Sequence, residues 1–433
     1  MTPIRTTIVI ILLSLPLSTA FGQTLIHCGN LLDVEAGELS GPSSIVIEDN
    51  VIKRVESGLM SVDEFTDSDL ELIDLADKTC LPGLMDMHTH IVWQSSPSSY
   101  IDRFTLDPAE LALQGAVYAR TTLEAGFTTI RDLGDSFNVS IALRDSINAG
   151  QTVGPRMYTS AKSLATTGGH ADPTNSWRAD LMGNPGPRDG VIDGIAQARE
   201  GVRQRYKDGA DLIKITATGG VLSVAKSGLA PQFHADELEA VVNTANDYEM
   251  HVAAHAHGKE GMLRAIKAGV SSIEHGTMMD EEVFAAMVEN GTWMVATIMA
   301  GEFVAEKAEI DGYYPELVRP KARMIGPMMQ DTFGRAWRAG VKIAFGTDSG
   351  VSAHGDNARE FELMVETGMS EIEAIRTATI NSAELLGIDD HVGAIKANMW
   401  ADIVAVEGNP LNDIAVLGDI DFVMKDGKVF LSE

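Results

Sequence analysis

Cysteine is nearly absent from this 433-residue chain: Cys28 and Cys80 are the only two. That excludes a disulfide framework, and the sequence alone leaves open whether the pair is bonded. Basic residues are scarce too, 33 Lys and Arg against 62 Asp and Glu, for a formal net charge of −29. Nucleic acid and anionic membranes repel such a chain, so neither is expected as a partner. The acidity itself reads as a well-solvated surface. There is no low-complexity tract and no internal repeat of fixed short period. Beyond the N-terminus no apolar run is long enough to span a bilayer.

The N-terminus is the exception. Arg5 supplies a positive start, Ile8 to Leu17 is apolar, and Ala20-Phe21-Gly22 offers small residues at −3 and −1. Residues 1–22 therefore read as a secretory signal, cleaved near Gly22, with a periplasmic or secreted mature protein. An uncleaved membrane anchor is the alternative, and the shortness of the run argues against it. Cys28 follows His27 rather than a small residue, which argues against lipidation. With 45% hydrophobic residues, the rest can bury a large core and suits one big domain plus a smaller one.

Two regimes divide the chain. Short strands at Thr24–Cys28, Ser44–Glu48, Val51–Val55 and Glu71–Leu75 are separated by turn residues such as Gly41-Pro42 and Asp49-Asn50. Strand-like Ala401–Val406 and Phe422–Phe430, the latter around an Asp-Gly turn, complete this small β region from the far end. Between them, strands alternate with helices. The strands read as Leu81–Met87, Thr128–Leu133, Arg156–Ala161, Leu212–Ala217, His251–His255, Ser272–Glu274, Trp293–Thr297 and Lys342–Gly346. Helical patterns at Pro108–Glu124, Ile192–Asp208, Ala235–Asp247, Lys259–Lys267 and Glu281–Glu289 fill the gaps. The expected fold is α/β: a (β/α)8 TIM barrel over residues 81–385. A small β-sandwich would be built from residues 23–80 and 386–433. An open doubly wound sheet is disfavoured, because polar residues end many different strands.

Those strand ends carry the chemistry. In Leu81-Pro-Gly-Leu-Met-Asp-Met-His-Thr-His90 the i, i+2 spacing aims His88 and His90 at one point. Strand four holds Lys214 between Ile213 and Ile215, where an ammonium without partners is costly. Strand five ends in His255-Ala-His257, strand six in Glu274-His275-Gly276, strand eight in Gly346-Thr-Asp348. Imidazoles and carboxylates without a thiolate suit zinc or a similar divalent ion in a hydrolytic site. Spacing alone does not choose between His255 and His257. His251 shares their parity but lies further from the strand end, and reads as a satisfied core histidine. Capping of a following helix is the bland role for Asp348.

These motifs resemble the amidohydrolase superfamily, in its branch with two metals and a carboxylated lysine. The resemblance runs from the strands near residue 24 to Gly408-Asn-Pro410. It implies an N6-carboxylated Lys214 bridging two divalent ions, zinc being expected. His88, His90 and Asp348 would hold the more buried ion, His255 and His275 the more exposed one. Such ions lower the pKa of a bridging water, and Asp348 would carry its proton to the leaving nitrogen. Lys214, His275 and Asp348 are thus the expected catalytic residues. One departure stands near Asn398, where relatives commonly have glycine.

Within the superfamily the chain most resembles Xaa-Pro dipeptidases and carboxypeptidase-like enzymes, in the neighbourhood of those that hydrolyse ochratoxin A. The shared motifs include Thr167-Gly-Gly-His170, Lys214-Ile-Thr-Ala-Thr-Gly-Gly220 and His255-Ala-His-Gly258. The implied substrate is a dipeptide or N-acyl amino acid, and a homo-oligomer is compatible. His170 and His257 are candidates to touch it, as are Tyr313 and Tyr314, unless these tyrosines only pack their own loop. Arg131 reads as an ion pair with Asp132 or Asp135 in preference to a substrate contact. Two rivals stand beside this reading. A cyclic-amide hydrolase or deaminase of the imidazolonepropionase kind would lack Lys214, and a degenerate binding protein would have lost ligands.

Overall fold

The computed structural model describes residues 22–66 and 70–432. The proposed signal segment, up to Phe21, lies outside them.

Both chain ends build one mixed sheet of eight strands. Its hydrogen-bonded path runs Lys428–Ser432, Ile420–Lys425, Ile403–Val406, Glu71–Pro82, Gln23–Asp33, Ser43–Glu48 and Val51–Ser57, with Glu38–Ser40 paired beside Gln23–Asp33. The expected β-sandwich is not confirmed: these eight strands are hydrogen-bonded into one connected sheet. Gln23–Asp33 and Glu71–Pro82 run parallel, and Cys28 and Cys80 are joined between them as a disulfide, Cα to Cα 5.9 Å. Asn398 has φ 73, a left-handed conformation that asparagine tolerates better than most residues and glycine better still. That is the physical reason a glycine would serve at the same point.

The strand expected at Leu81–Met87 is divided. Leu81 and Pro82 pair with Val404 and Ile403 in the terminal sheet, and a new strand, Leu84–Thr89, begins after Gly83. A Cβ on Gly83 would sit 2.3 Å from Thr128 Oγ1, so the crossing between the two sheets needs glycine there. The new strand carries on through His88.

The middle of the chain forms two parallel sheets. One holds Leu84–Thr89, Phe127–Asp132 and Arg156–Thr159; the other Ile213–Thr216, Val252–Ala256, Ser272–His275 and Trp293–Val295. They meet at both edges through isolated bridges, Leu164 with Ile215 on one side and Ile343 with Met294 on the other. Residues 342–346 were expected as an eighth strand. They instead thread between Trp293–Val295 and Leu84–Thr89, Met87 N donating to Phe345 O and Ala344 N to Met294 O. No continuous eight-stranded ladder closes among the described residues. The strands are buried on both faces, as parallel strands covered by helices must be.

The helices stand where the apolar periodicity put them: Pro108–Glu124, Gly194–Asp208, Ala235–Asn246, Lys259–Ala268 and Glu281–Asn290. Pro108–Glu124 starts on a proline after a capping box between Asp107 and Glu110. No helix of the described residues is long and apolar enough to cross a membrane.

Candidate active site

The polar residues gather at the C-terminal ends of the parallel strands. His88 Nε2 and His90 Nε2 lie 3.5 Å and 3.3 Å from Asp348 Oδ1. One ligand atom from each of these three residues falls within 4.8 Å of the other two. Lys214 Nζ is 3.5 Å from His88 Nε2. The remaining histidines form a connected set of rings: His275 is 5.0 Å from His88 and 4.7 Å from His255, and His257 is 5.1 Å from His275. His170 stacks on His255 at 4.3 Å. All eight of these predicted residues are therefore brought together.

Backbone geometry aims them. Ala161, His275, Thr297 and Asp348 all have positive φ, from 52 to 70, beyond or at the C-terminal ends of extended segments. Such residues carry strain that the surrounding packing must hold, and they cluster at functional sites. Gly350 packs its backbone against His90, where a Cβ would lie 2.8 Å from the His90 Cβ.

Hydrogen bonds set the tautomers. A backbone carbonyl only accepts, so His90 donates from Nδ1 to Gly134 O and keeps Nε2 for the site. His255 donates from Nε2 to Gly219 O, leaving Nδ1 as the lone pair. His88 Nδ1 meets Glu274 Oε2 at 2.9 Å, and His275 Nδ1 meets the Thr297 hydroxyl at 2.7 Å. These outer partners orient each ring.

Charge in the site is finely poised. Burial, then Lys214, pushes His88 down to about 4, and burial with neighbouring cations holds His255 and His275 well below the ordinary range. Neutral rings are what a metal requires. Burial pushes the Lys214 ammonium down to about 8. Burial works against the Asp348 carboxylate, yet His88 and His90 outweigh it and hold its pKa low.

The donor set fits a divalent ion. Metal–nitrogen and metal–oxygen bonds near 2.0–2.1 Å put neighbouring tetrahedral ligands about 3.4 Å apart. The two Nε2–Oδ1 separations match that edge. Asp348 Oδ1 is buried in ion-pair range of both rings but without a hydrogen bond of good geometry, the state of an oxygen placed for a cation.

Other expectations are corrected. Arg131 pairs with neither Asp132 nor Asp135. It is buried, donates to Glu274 Oε1 at 2.9 Å, to Ser272 Oγ and to Met87 O, and so braces the site from beneath. His251 is exposed and meets Ser271 Oγ, since it precedes its strand rather than facing the core. Tyr313 and Tyr314 pack together, rings 4.9 Å apart, and Tyr314 is buried beside Trp93, whose ring lies 6.4 Å from His90. The tyrosines thus stand one side chain away from the histidines. Two supports went unassigned in the sequence. Asp86 accepts from His88 N, Thr347 and Asn357, and Glu274 links Arg131 to His88. Asp86 was within reach, as an acid in an apolar strand with the parity of His88.

Comparison with known proteins gives the chain its family. The family model for the amidohydrolase family matches residues 79–430. Ochratoxinase from Aspergillus niger is 34% identical over 428 residues, covering 94% of this chain and 86% of its own length. Its crystal structure superposes with a TM-score of 0.82 at 31% identity, covering 95% of this chain and 96% of that one. The structure of a Xaa-Pro dipeptidase with methionine bound in its active site gives a TM-score of 0.91 at 52% identity, covering 94% and 99%. A prolidase complexed with N-methylphosphonate-L-proline gives 0.84 at 29%, covering 95% and 100%. On the family match over residues 79–430 and these relatives, the chain belongs to the amidohydrolase family and is a hydrolase acting on C–N bonds.

Proposed function

We propose that this protein is an exported, metal-dependent amidase or peptidase that releases the C-terminal amino acid of small dipeptides or N-acyl amino acids. The observation that carries the reading is the convergence of His88, His90 and Asp348 within ligand distance of one another, with Lys214 Nζ at His88. On this reading the two parallel sheets are halves of one (β/α)8 barrel within residues 81–385, and the two chain ends form the small β domain. His88, His90 and Asp348 would hold one divalent ion and His255 and His275 a second, with Lys214 as a further ligand.

Lys214 serves as a ligand once its neutral amine takes up carbon dioxide, forming an N–C bond and releasing one proton. Burial favours the neutral amine. Divalent ions there, zinc by the donor set, supply a more acidic water and a polarised carbonyl. The chain's residues do the rest. Glu274 and Gly134 keep His88 Nε2 and His90 Nε2 turned inward by taking the opposite ring nitrogens. Asp348, held ionised, would take up a proton on its carboxylate and hand it to the departing nitrogen. His170 and His257 stand around His255 as substrate contacts.

The identity to ochratoxinase and to the Xaa-Pro dipeptidase supports acyclic amides as substrates. The Cys28–Cys80 disulfide supports export, since such bonds persist in oxidising compartments. Lys214 at the site counts against the imidazolonepropionase-like rival, and the full ligand set against a degenerate binding protein. The test is hydrolysis by metal-loaded mature protein of Xaa-Pro dipeptides, dipeptides ending in Phe, Leu, Arg or Lys, ochratoxin A, and a cyclic imide. Cleavage of the acyclic amides is expected, and turnover of the cyclic imide alone would overturn the reading.

A further inference from the structure

The helix Ile298–Lys307 begins without a cap of its own. Its N-cap residue, Thr297, has φ 54 and ψ 47, and the Thr297 side chain makes no cap hydrogen bond. A threonine in that place ordinarily sits in extended backbone and turns its hydroxyl onto the first turn. Here the hydroxyl meets His275 Nδ1 at 2.7 Å instead. The first amides of the helix are thereby left without their usual acceptor. Glu360, on the separate helix Arg359–Glu366, supplies it: Oε1 accepts from Ile298 N at 2.8 Å and Oε2 from Met299 N at 2.7 Å. Glu360 is fully buried. It does the capping that Thr297 gives up in order to hold a ring.

The same turn of chain reaches the other half of the site. Glu360 N donates to Asn357 O, so the two residues stand on one turn. Asn357 is also fully buried, and its Nδ2 donates to Asp86 Oδ2 at 2.8 Å. Its amide oxygen accepts from Gly355 N, which fixes the way the amide faces. Asp86 in turn accepts from His88 N at 3.0 Å and from the hydroxyl of Thr347, the neighbour of Asp348, at 2.6 Å. A carboxyl and an amide are costly to bury, and the bonds that satisfy these two both lead to the site.

We propose that Asn357 and Glu360 are positioning residues that hold the two halves of the site in register, Asn357 through Asp86 on His88 and Asp348, and Glu360 through Thr297 on His275. The proposal rests on the metal-dependent reading above and adds to it how one half is set against the other. It separates from a general packing role by selectivity. A residue that acts through one outer partner alters the ligands on that side, whereas loosened packing alters both sides.

The test is a zinc titration of the metal-free full enzyme against a chromophoric chelator, with His90→Ala and His275→Ala marking which half each binding step belongs to. Glu360→Ala is expected to weaken the His275 step about 10- to 100-fold and to leave the His90 step unchanged. Asn357→Ala should do the reverse. Glu360→Gln keeps one acceptor oxygen and should recover part of the loss; it also decides the matter if Glu360→Ala does not fold. Thr297→Val should weaken the same step as Glu360→Ala, and the double variant should be no worse than Thr297→Val alone. Equal weakening of both steps in each variant, or of neither, would overturn the proposal. A second readout needs neither metal nor turnover: the ring 15N shifts of His275 in the metal-free protein, assigned by their loss in His275→Ala. Glu360→Ala should move them as Thr297→Val does, and Asn357→Ala should not. If the wild type binds no zinc, the metal-dependent reading fails by itself. The role of Glu360 then stands on those shifts, and falls if its variants leave them at wild-type values.

Discussion

His88 Nδ1 lies 2.9 Å from Glu274 Oε2, and both side chains are buried. The other Glu274 oxygen takes the Arg131 guanidinium at 2.9 Å, so one carboxylate orients a site histidine and neutralises a buried cation. Burial opposes the Glu274 charge, but Arg131 and His88 overcome it and hold the carboxyl well below its usual range. Glu274→Gln should weaken metal affinity about 10- to 100-fold, as loss of an outer hydrogen-bond partner does. Because Arg131 is left buried without its counter-charge, the same change should destabilise the fold by about 3–5 kcal/mol. Metal titration and urea unfolding of the same preparation separate the two effects.

Gly220 is the floor under His170. A Cβ there would lie 2.2 to 2.4 Å from three atoms of the His170 ring, and that ring stacks on His255. Gly220→Ala should push His170 off His255 and reduce turnover. The His170→Ala, Gly220→Ala double variant should be no worse than His170→Ala alone, a non-additivity that a kinetic double-mutant cycle reads directly.

The disulfide closes a sequence separation of 52 residues between two strands of the terminal sheet. Chain entropy assigns such a loop about 4 kcal/mol of stability. Cys28→Ser with Cys80→Ser should therefore lower the melting temperature while leaving activity intact below the transition, since both cysteines belong to the terminal sheet and not to the site. Differential scanning calorimetry beside a rate assay checks both halves.

Glu360 supplies a pH test away from the ligands. It is buried, accepts from Ile298 N and Met299 N at 2.8 and 2.7 Å, and burial pushes its carboxyl up to about 8. The folded state then binds a proton that the unfolded state has released, so stability from this group is fully present below about 4.5 and is lost as pH rises through 8. Glu360→Gln should remove that dependence. The stability difference, wild type minus variant, should fall steadily between pH 5 and pH 8 in urea unfolding.

How much of this was legible in the sequence depends on the range of each interaction. His88 and His90 announce themselves because strand parity is local, and Lys214 because an ammonium inside Leu-Ile-Lys-Ile-Thr has no cheap explanation. Helices such as Pro108–Glu124 carry their start signals within a few residues. The Arg131–Glu274 pair joins residues 143 apart, and no local pattern couples them, so Arg131 was given the nearest acids instead. His251 shows the limit of parity: alternation says which way a side chain points, and not whether the strand has begun. The division at Gly83 was hidden because both halves of Leu81–Thr89 are buried and extended, and only the approach of Thr128 demands the glycine.

On the proposed function, His88, His90, Lys214, His255, His275 and Asp348 form one metal centre on which amide hydrolysis depends. The most direct measurement is the divalent metal content of the purified mature protein, wild type and Lys214→Ala, alongside amide hydrolysis before and after chelation. About two ions per wild-type chain are expected, fewer in the variant, with activity that disappears on chelation and returns with metal. Hydrolysis at full rate by protein without stoichiometric divalent metal would contradict the proposed function.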